Sequence, residues 1–76
     1  MIARETLFDI WKDASQLEEI DPDRTLFDLG MDSIKVIDIS DSIFKLSGVR
    51  LEWEEFNVTS SLNEIHDLLR EKLVIP

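Results

Sequence analysis

The sequence predicts an all-α fold: three main helices, one short helix and a long first loop. Three observations predict it. Apolar residues recur with helical spacing in three separate stretches. The 76 residues include no cysteine, so a chain this short has neither disulfides nor thiolate metal sites to support it. Helices with local contacts are then the economical solution. Apolar residues make up 43% of the chain, enough for a core and too many for a disordered acidic tail. The length allows one small domain over residues 1–76 and excludes a multilayer enzyme core.

The first helix rests on Leu7, Ile10, Trp11, Ala14 and Leu17, whose spacing predicts helix over 3–17. Asp21-Pro22 ends any continuation, because the residue before a proline is pushed out of the α region. Residues 18–32 show no sustained period, yet they hold Leu26, Phe27, Leu29 and Met31 beside Pro22 and Gly30. Loops this long in small domains tend to be functional and pinned by their own apolar residues. The second helix is expected over 33–47, capped by Asp32 or Ser33 and stopped at Gly48. At 100° per residue, Val36, Ile39, Ile43 and Leu46 share the core face, with Ile37 and Phe44 flanking it. Asp38, Asp41 and Lys45 share the solvent side with Ile34, an isoleucine that contributes nothing to the core.

Between 49 and 60, Val49 and Leu51 alternate like a short extended piece. Trp53 and Phe56, three apart amid Glu52, Glu54 and Glu55, predict the short helix. Ser61-Leu62-Asn63-Glu64 has capping-box spacing, and Leu62, Ile65, Leu69 and Leu73 follow on one face, predicting helix over 62–73.

Charge narrows the partners. Seventeen acidic and eight basic side chains give a net charge of −9. That balance repels phosphate backbones and anionic lipid heads, so neither nucleic acid nor a membrane is an expected partner. Basic protein surfaces are, and the repulsion favours a monomer. The N-terminus meets Glu5 too early for a signal peptide, and no apolar run exceeds three residues, Leu73-Val74-Ile75 among them. A cytoplasmic location is expected, and Met1 with short tails fits a complete gene product.

Catalytic chemistry has little to work with. His66 is the single histidine, and Glu64 and Asp67 beside it read as surface residues. Gly30-Met31-Asp32-Ser33 does not match the G-x-S-x-G nucleophile elbow. Two glycines, Gly30 and Gly48, cannot build a phosphate-cradling loop. A calcium loop starting at Asp21 fails, with Leu26 where glycine is needed and Asp32 where a bidentate glutamate belongs. No metal site is expected, and the acids read as a solvated, partner-facing surface.

Ser33 admits two readings. It can be a helix cap and nothing more, or a hydroxyl offered at a helix N-terminus, where backbone partial charge favours an attached phosphate. Ile34, exposed and close to Asp38 and Asp41, would then belong to a docking patch for a basic partner that modifies the hydroxyl. Spacing alone leaves both open.

Leu26-Phe27-Asp28-Leu29-Gly30-Met31-Asp32-Ser33-Ile34 resembles the phosphopantetheine attachment motif L-x-x-L-G-x-D-S-L of acyl and peptidyl carrier proteins, with isoleucine for the final leucine. Asp21-Pro22-Asp23-Arg24-Thr25 is similar to the family's first loop, and Met31 before Asp-Ser is most similar to discrete carriers of polyketide synthases. The resemblance covers nearly the whole chain. It implies a small carrier-type bundle that performs no catalysis. Ser33 would receive 4'-phosphopantetheine from coenzyme A through a phosphopantetheinyl transferase, with Asp32 contributing to that enzyme's magnesium site. The arm's thiol would carry acyl or aminoacyl groups as thioesters from a loading enzyme to downstream synthases or transferases. Ile34, Ile37, Asp38 and Asp41 would form the docking face, and Trp53 and Phe56 would border an acyl pocket.

Three positions depart from the pattern of fatty-acid carriers. Lys35 stands where an acid is frequent and Asp41 where an apolar residue is frequent. Ser47 replaces a phenylalanine that often closes the second helix, leaving its space to Leu46 or Trp53. These differences argue against the housekeeping fatty-acid carrier. With a single domain, the resemblance implies a discrete carrier of a specialised, polyketide- or nonribosomal-peptide-like pathway, an excised domain of a larger synthase being the other origin. The alternatives are a non-covalent interaction module that keeps the carrier fold and, more remotely, a small hydrolase using Ser33.

Overall fold

Three helices form where the apolar spacing is helical: α1 (Arg4–Ser15), α2 (Ser33–Ser47) and α3 (Leu62–Val74). The computed structural model describes residues 2–74; Met1 and Ile75, which entered the reading of the termini, lie outside the described residues. Helix α1 packs against both α2 and α3. No described helix is long and apolar enough to cross a membrane.

Helix α1 buries Leu7 and Trp11 and packs Ile10 and Ala14 at the core's edge. It stops two residues earlier than the spacing predicts. Gln16 turns left-handed (φ 62°), and its N–H donates to Lys12 O at 2.9 Å. A non-glycine residue pays a steric penalty in that region. Gln16 is held there by its own side chain, whose Nε2 donates to Asp13 O at 2.7 Å. Leu17 therefore leaves the apolar stripe and is substantially exposed.

Helix α2 has the expected bounds, with Gly48 closing it at φ 75°. Val36, Ile39 and Ile43 are buried as expected. Leu46 is not, because the last turn runs past the core, and it is 60% exposed. Leu46 and Trp53, the residues expected to take a phenylalanine's space near Ser47, are both more than half exposed. Ser47 instead closes the helix through polar contacts: its Oγ donates to Ile43 O at 2.7 Å and accepts Val49 N–H at 3.1 Å.

The expected short helix is a single turn. Glu55 and Phe56 N–H both donate to Glu52 O, and residues 53–55 go no further. The described residues thus form three helices, not a four-helix bundle. Phe56 is buried, its ring centroid 5.8 Å from that of Trp11 at a tilt of 37°. Trp11 Nε1 is buried without a partner among the described residues. Burying the whole indole offsets that unmet donor. Leu62, Ile65 and Leu69 of α3 complete this core, and Leu73 is half-buried.

Candidate functional site at the start of α2

The long first loop is ordered by a turn hidden within it. Thr25 Oγ1 accepts Asp28 N–H at 3.1 Å, as a helix cap would, and Leu29 N–H donates back to Thr25 O and Leu26 O. Gly30 N–H donates to Phe27 O (3.0 Å) and Met31 N–H to Leu26 O (2.9 Å). This is the Schellman pattern, and Leu26 and Met31, the pair whose contact commonly accompanies it, are both buried. Gly30 sits at φ 83°, and a Cβ there would meet nothing within 4 Å. The glycine is needed for its backbone angle, not for space.

The turn is fastened to the start of α3. Leu26 N–H donates to Ser60 O and Phe27 N–H to Val58 O, both at 3.0 Å, and Thr25 pairs with Ser61 in an isolated antiparallel bridge. Asn63 N–H donates to Pro22 O (3.1 Å), and its Nδ2 donates to Asp23 Oδ1 at 2.6 Å. Asp21 Oδ1 accepts Asp23 N–H, and Asp21 lies 3.6 Å from the Arg24 guanidinium. These loop aspartates shape the chain itself.

Met31 and Asp32 then lead directly into α2. Asp32 is its N-cap: Oδ1 accepts Ile34 N–H (3.1 Å) and Lys35 N–H (3.2 Å), and its carbonyl accepts Val36 N–H. Asp32 Oδ2 accepts no hydrogen bond from the described residues. Ser33 is the first residue of the helix and is exposed. Its Oγ makes no hydrogen bond to the described residues. The cap therefore belongs to Asp32, and the reading of Ser33 as a capping residue falls away.

Beside Ser33 lies an open cleft of about 620 Å³. Phe27, Met31, Trp53 and Val58 form its apolar walls, and Gly30, Asp32 and Ser33 complete the lining. Of the two aromatic residues expected at a pocket's border, Trp53 lines this cleft and Phe56 does not, since Phe56 belongs to the core. The Trp53 wall is braced: Asn57 Nδ2 donates to Trp53 O at 3.0 Å, and Asn57 N–H donates to Ser60 Oγ at 3.1 Å. Lys72 Nζ, 2.7 Å from Glu55 Oε2, ties the same turn to α3. That hydrogen bond from Lys72, aided by Glu52 N–H, holds the Glu55 carboxyl below its ordinary range. Val58 is the lining residue that the spacing did not single out. His66 stands on α3 and does not line the cleft.

The outer face of α2 presents Ile34 and Ile37, each 65% exposed. Asp38 and Asp41 are exposed too, but Asp41 is paired with Lys45 at 2.9 Å. Lys35 and Lys45 balance Asp38 and Asp41, so α2 carries no net charge. Residues 1–32 hold nine acids against three bases, and residues 48–76 hold six against three. The chain's acidity lies around this helix rather than on it.

The family model described as the phosphopantetheine attachment site matches residues 5–69. No curated protein and no solved structure matches the chain. The family is defined by covalently attached 4'-phosphopantetheine, its domains are carriers rather than catalysts, and they work with phosphopantetheinyl transferases and other enzymes. With the exposed serine of α2 inside the matched span, the chain belongs to this phosphopantetheine-attachment family of carrier domains.

Proposed function

We propose that Ser33 is the attachment residue, and that residues 1–76 act as one discrete carrier domain of a specialised pathway. The observation that carries this reading is the state of Ser33: exposed, first in its helix, and relieved of capping by Asp32. The residues fit the group. Ser33 Oγ loses its proton and becomes the ester oxygen of a phosphodiester, while the nucleotide half of coenzyme A leaves. The ester then lies at a helix N-terminus, where the backbone partial charge favours it. When bound, phosphopantetheine supplies a thiol on a flexible arm, which holds acyl or aminoacyl cargo as a thioester.

Asp32 has a divided role in this reading. Oδ1 holds the helix start, and Oδ2 is available to the transferase's magnesium ion. Ile34, Ile37, Asp38 and Asp41 form the docking face. With α2 neutral and Asp41 paired to Lys45, its grip is chiefly apolar, while the surrounding acids steer basic partners inward. A polyketide-type or nonribosomal-peptide-type pathway, a cytoplasmic location and a monomer complete the proposal.

The test is intact mass after incubation with coenzyme A, magnesium and a broad-specificity phosphopantetheinyl transferase. One added phosphopantetheine, absent in Ser33→Ala, is the expected result. An unchanged mass in a folded sample, with several transferases tried, would move the reading to a non-covalent interaction module built on Ile34 and Ile37.

A further inference from the structure

We infer that the cleft beside Ser33 is a resting site for the carried group, and that it selects an uncharged aromatic acyl group. This rests on Ser33 being the attachment residue. The site is external. The large core side chains face one another instead: Trp11, Leu26, Ile39, Ile43 and Phe56 are each at most 1% exposed, with the Trp11 and Phe56 ring centroids 5.8 Å apart. The large rings that remain uncovered near Ser33 are Phe27, 63% exposed, and Trp53, 55% exposed. Both line the one cleft, with Met31 and Val58. Two aromatic faces and a thioether suit a flat ring better than a flexible chain.

Size and charge agree. About 620 Å³ is within the range of sites for small molecules, about 300–1,000 Å³. The lining's one charged side chain is Asp32, so a cargo bearing its own carboxylate is repelled. Hydrogen bonds from Phe27 N–H to Val58 O and from Asn57 Nδ2 to Trp53 O fix the backbone that carries these walls. What remains to be ordered when a ring enters is the side chains alone. The occupant is identified by its tether. Ser33 is part of the lining, so a group attached there is present at an effective concentration on the order of millimolar. A weak site suffices at that concentration, and a tethered group outcompetes a free ligand.

The experiment loads the full chain enzymatically from benzoyl-, octanoyl-, acetyl- and malonyl-coenzyme A, using the same transferase, and follows both indole N–H resonances by NMR. Trp11, buried against Phe56 and not part of the cleft lining, is the internal reference. The benzoyl form is expected to shift the Trp53 resonance well beyond the other three forms while Trp11 holds still. Its thioester should also hydrolyse several-fold more slowly than that of loaded Trp53→Ala. A benzoyl form with the correct mass but Trp53 at its acetyl-form position would overturn the resting site. Equal shifts from octanoyl and benzoyl would overturn the preference for a ring. A chain that gains no mass from any donor would overturn the attachment reading itself, and this inference with it.

Discussion

Two serines stand at helix starts in this molecule, and they are used in opposite ways. Ser61 is buried and opens α3. Its Oγ accepts Glu64 N–H at 3.2 Å, and Glu64 Oε1 accepts Ser61 N–H at 3.0 Å, a closed capping box. Ser33 opens α2 one position later in the cap register, exposed, with its hydroxyl making no bond to the described residues. Asp32 performs the capping that Ser61 performs on α3. A hydroxyl engaged in holding a helix is a poor candidate for modification. Placing an aspartate one residue ahead keeps the helix start satisfied and leaves the serine hydroxyl unengaged, as the proposed attachment requires.

The largest effect belongs to Ser33→Ala. It should abolish phosphopantetheine transfer, read by intact mass, while denaturant unfolding stays within about 0.5 kcal/mol of the parent. A large stability loss would show that the hydroxyl is structural after all. Ser61→Ala should do the reverse. It leaves Glu64 N–H without its partner in a part-buried setting, so a loss of about 1 kcal/mol is expected, with transfer still occurring at Ser33. Asp32 sharpens the contrast because its two oxygens separate. Asp32→Ala should cost about 1 kcal/mol through the lost cap. Asp32→Asn keeps a capping oxygen, so it should retain most of that stability yet slow the transfer; equal transfer rates for Asn and parent would remove Oδ2 from the chemistry.

Smaller effects are expected away from both helix starts. Glu55 is held below its ordinary carboxyl range by Lys72 and Glu52 N–H. Its stabilising contribution is therefore complete above the unfolded value near 4.5 and is lost as pH falls through the lower folded value. Glu55→Gln should remove that part of the acid dependence, seen as a flatter unfolding profile across the same pH interval. The Asp41–Lys45 pair is exposed on both sides, so a double-mutant cycle there should give no more than about 0.5 kcal/mol.

Much of this was legible in the sequence. The bounds of α2 followed from Asp32-Ser33 and Gly48, and the α3 start followed from Ser61 and Glu64, because caps are local signals. Isoleucine at position 34 was legible as exposed for the same reason: one helix determines which side it faces. What stayed hidden depends on register or tertiary contact. Asp32 and Ser33 are both good caps, and only the backbone path decides between them. The turn at 26–29 is too short to show a period, although Gly30 marks its end. Leu46 obeys the apolar stripe of α2, but the core ends one turn before it. Trp53 and Phe56 have helical spacing, yet one turn of backbone sends Phe56 inward and leaves Trp53 outside. The cleft joins Phe27 to Val58 through a backbone hydrogen bond that no local pattern encodes.

The central claim is that the molecule spares one serine for the phosphopantetheine arm. Peptide mapping of the transferase product tests it most directly, since Ser33 and Ser61 fall in separable fragments. The expected result is one phosphopantetheine on the fragment containing Ser33 and none on the fragment containing Ser61. The arm on any other residue, or its retention in Ser33→Ala, would contradict the account.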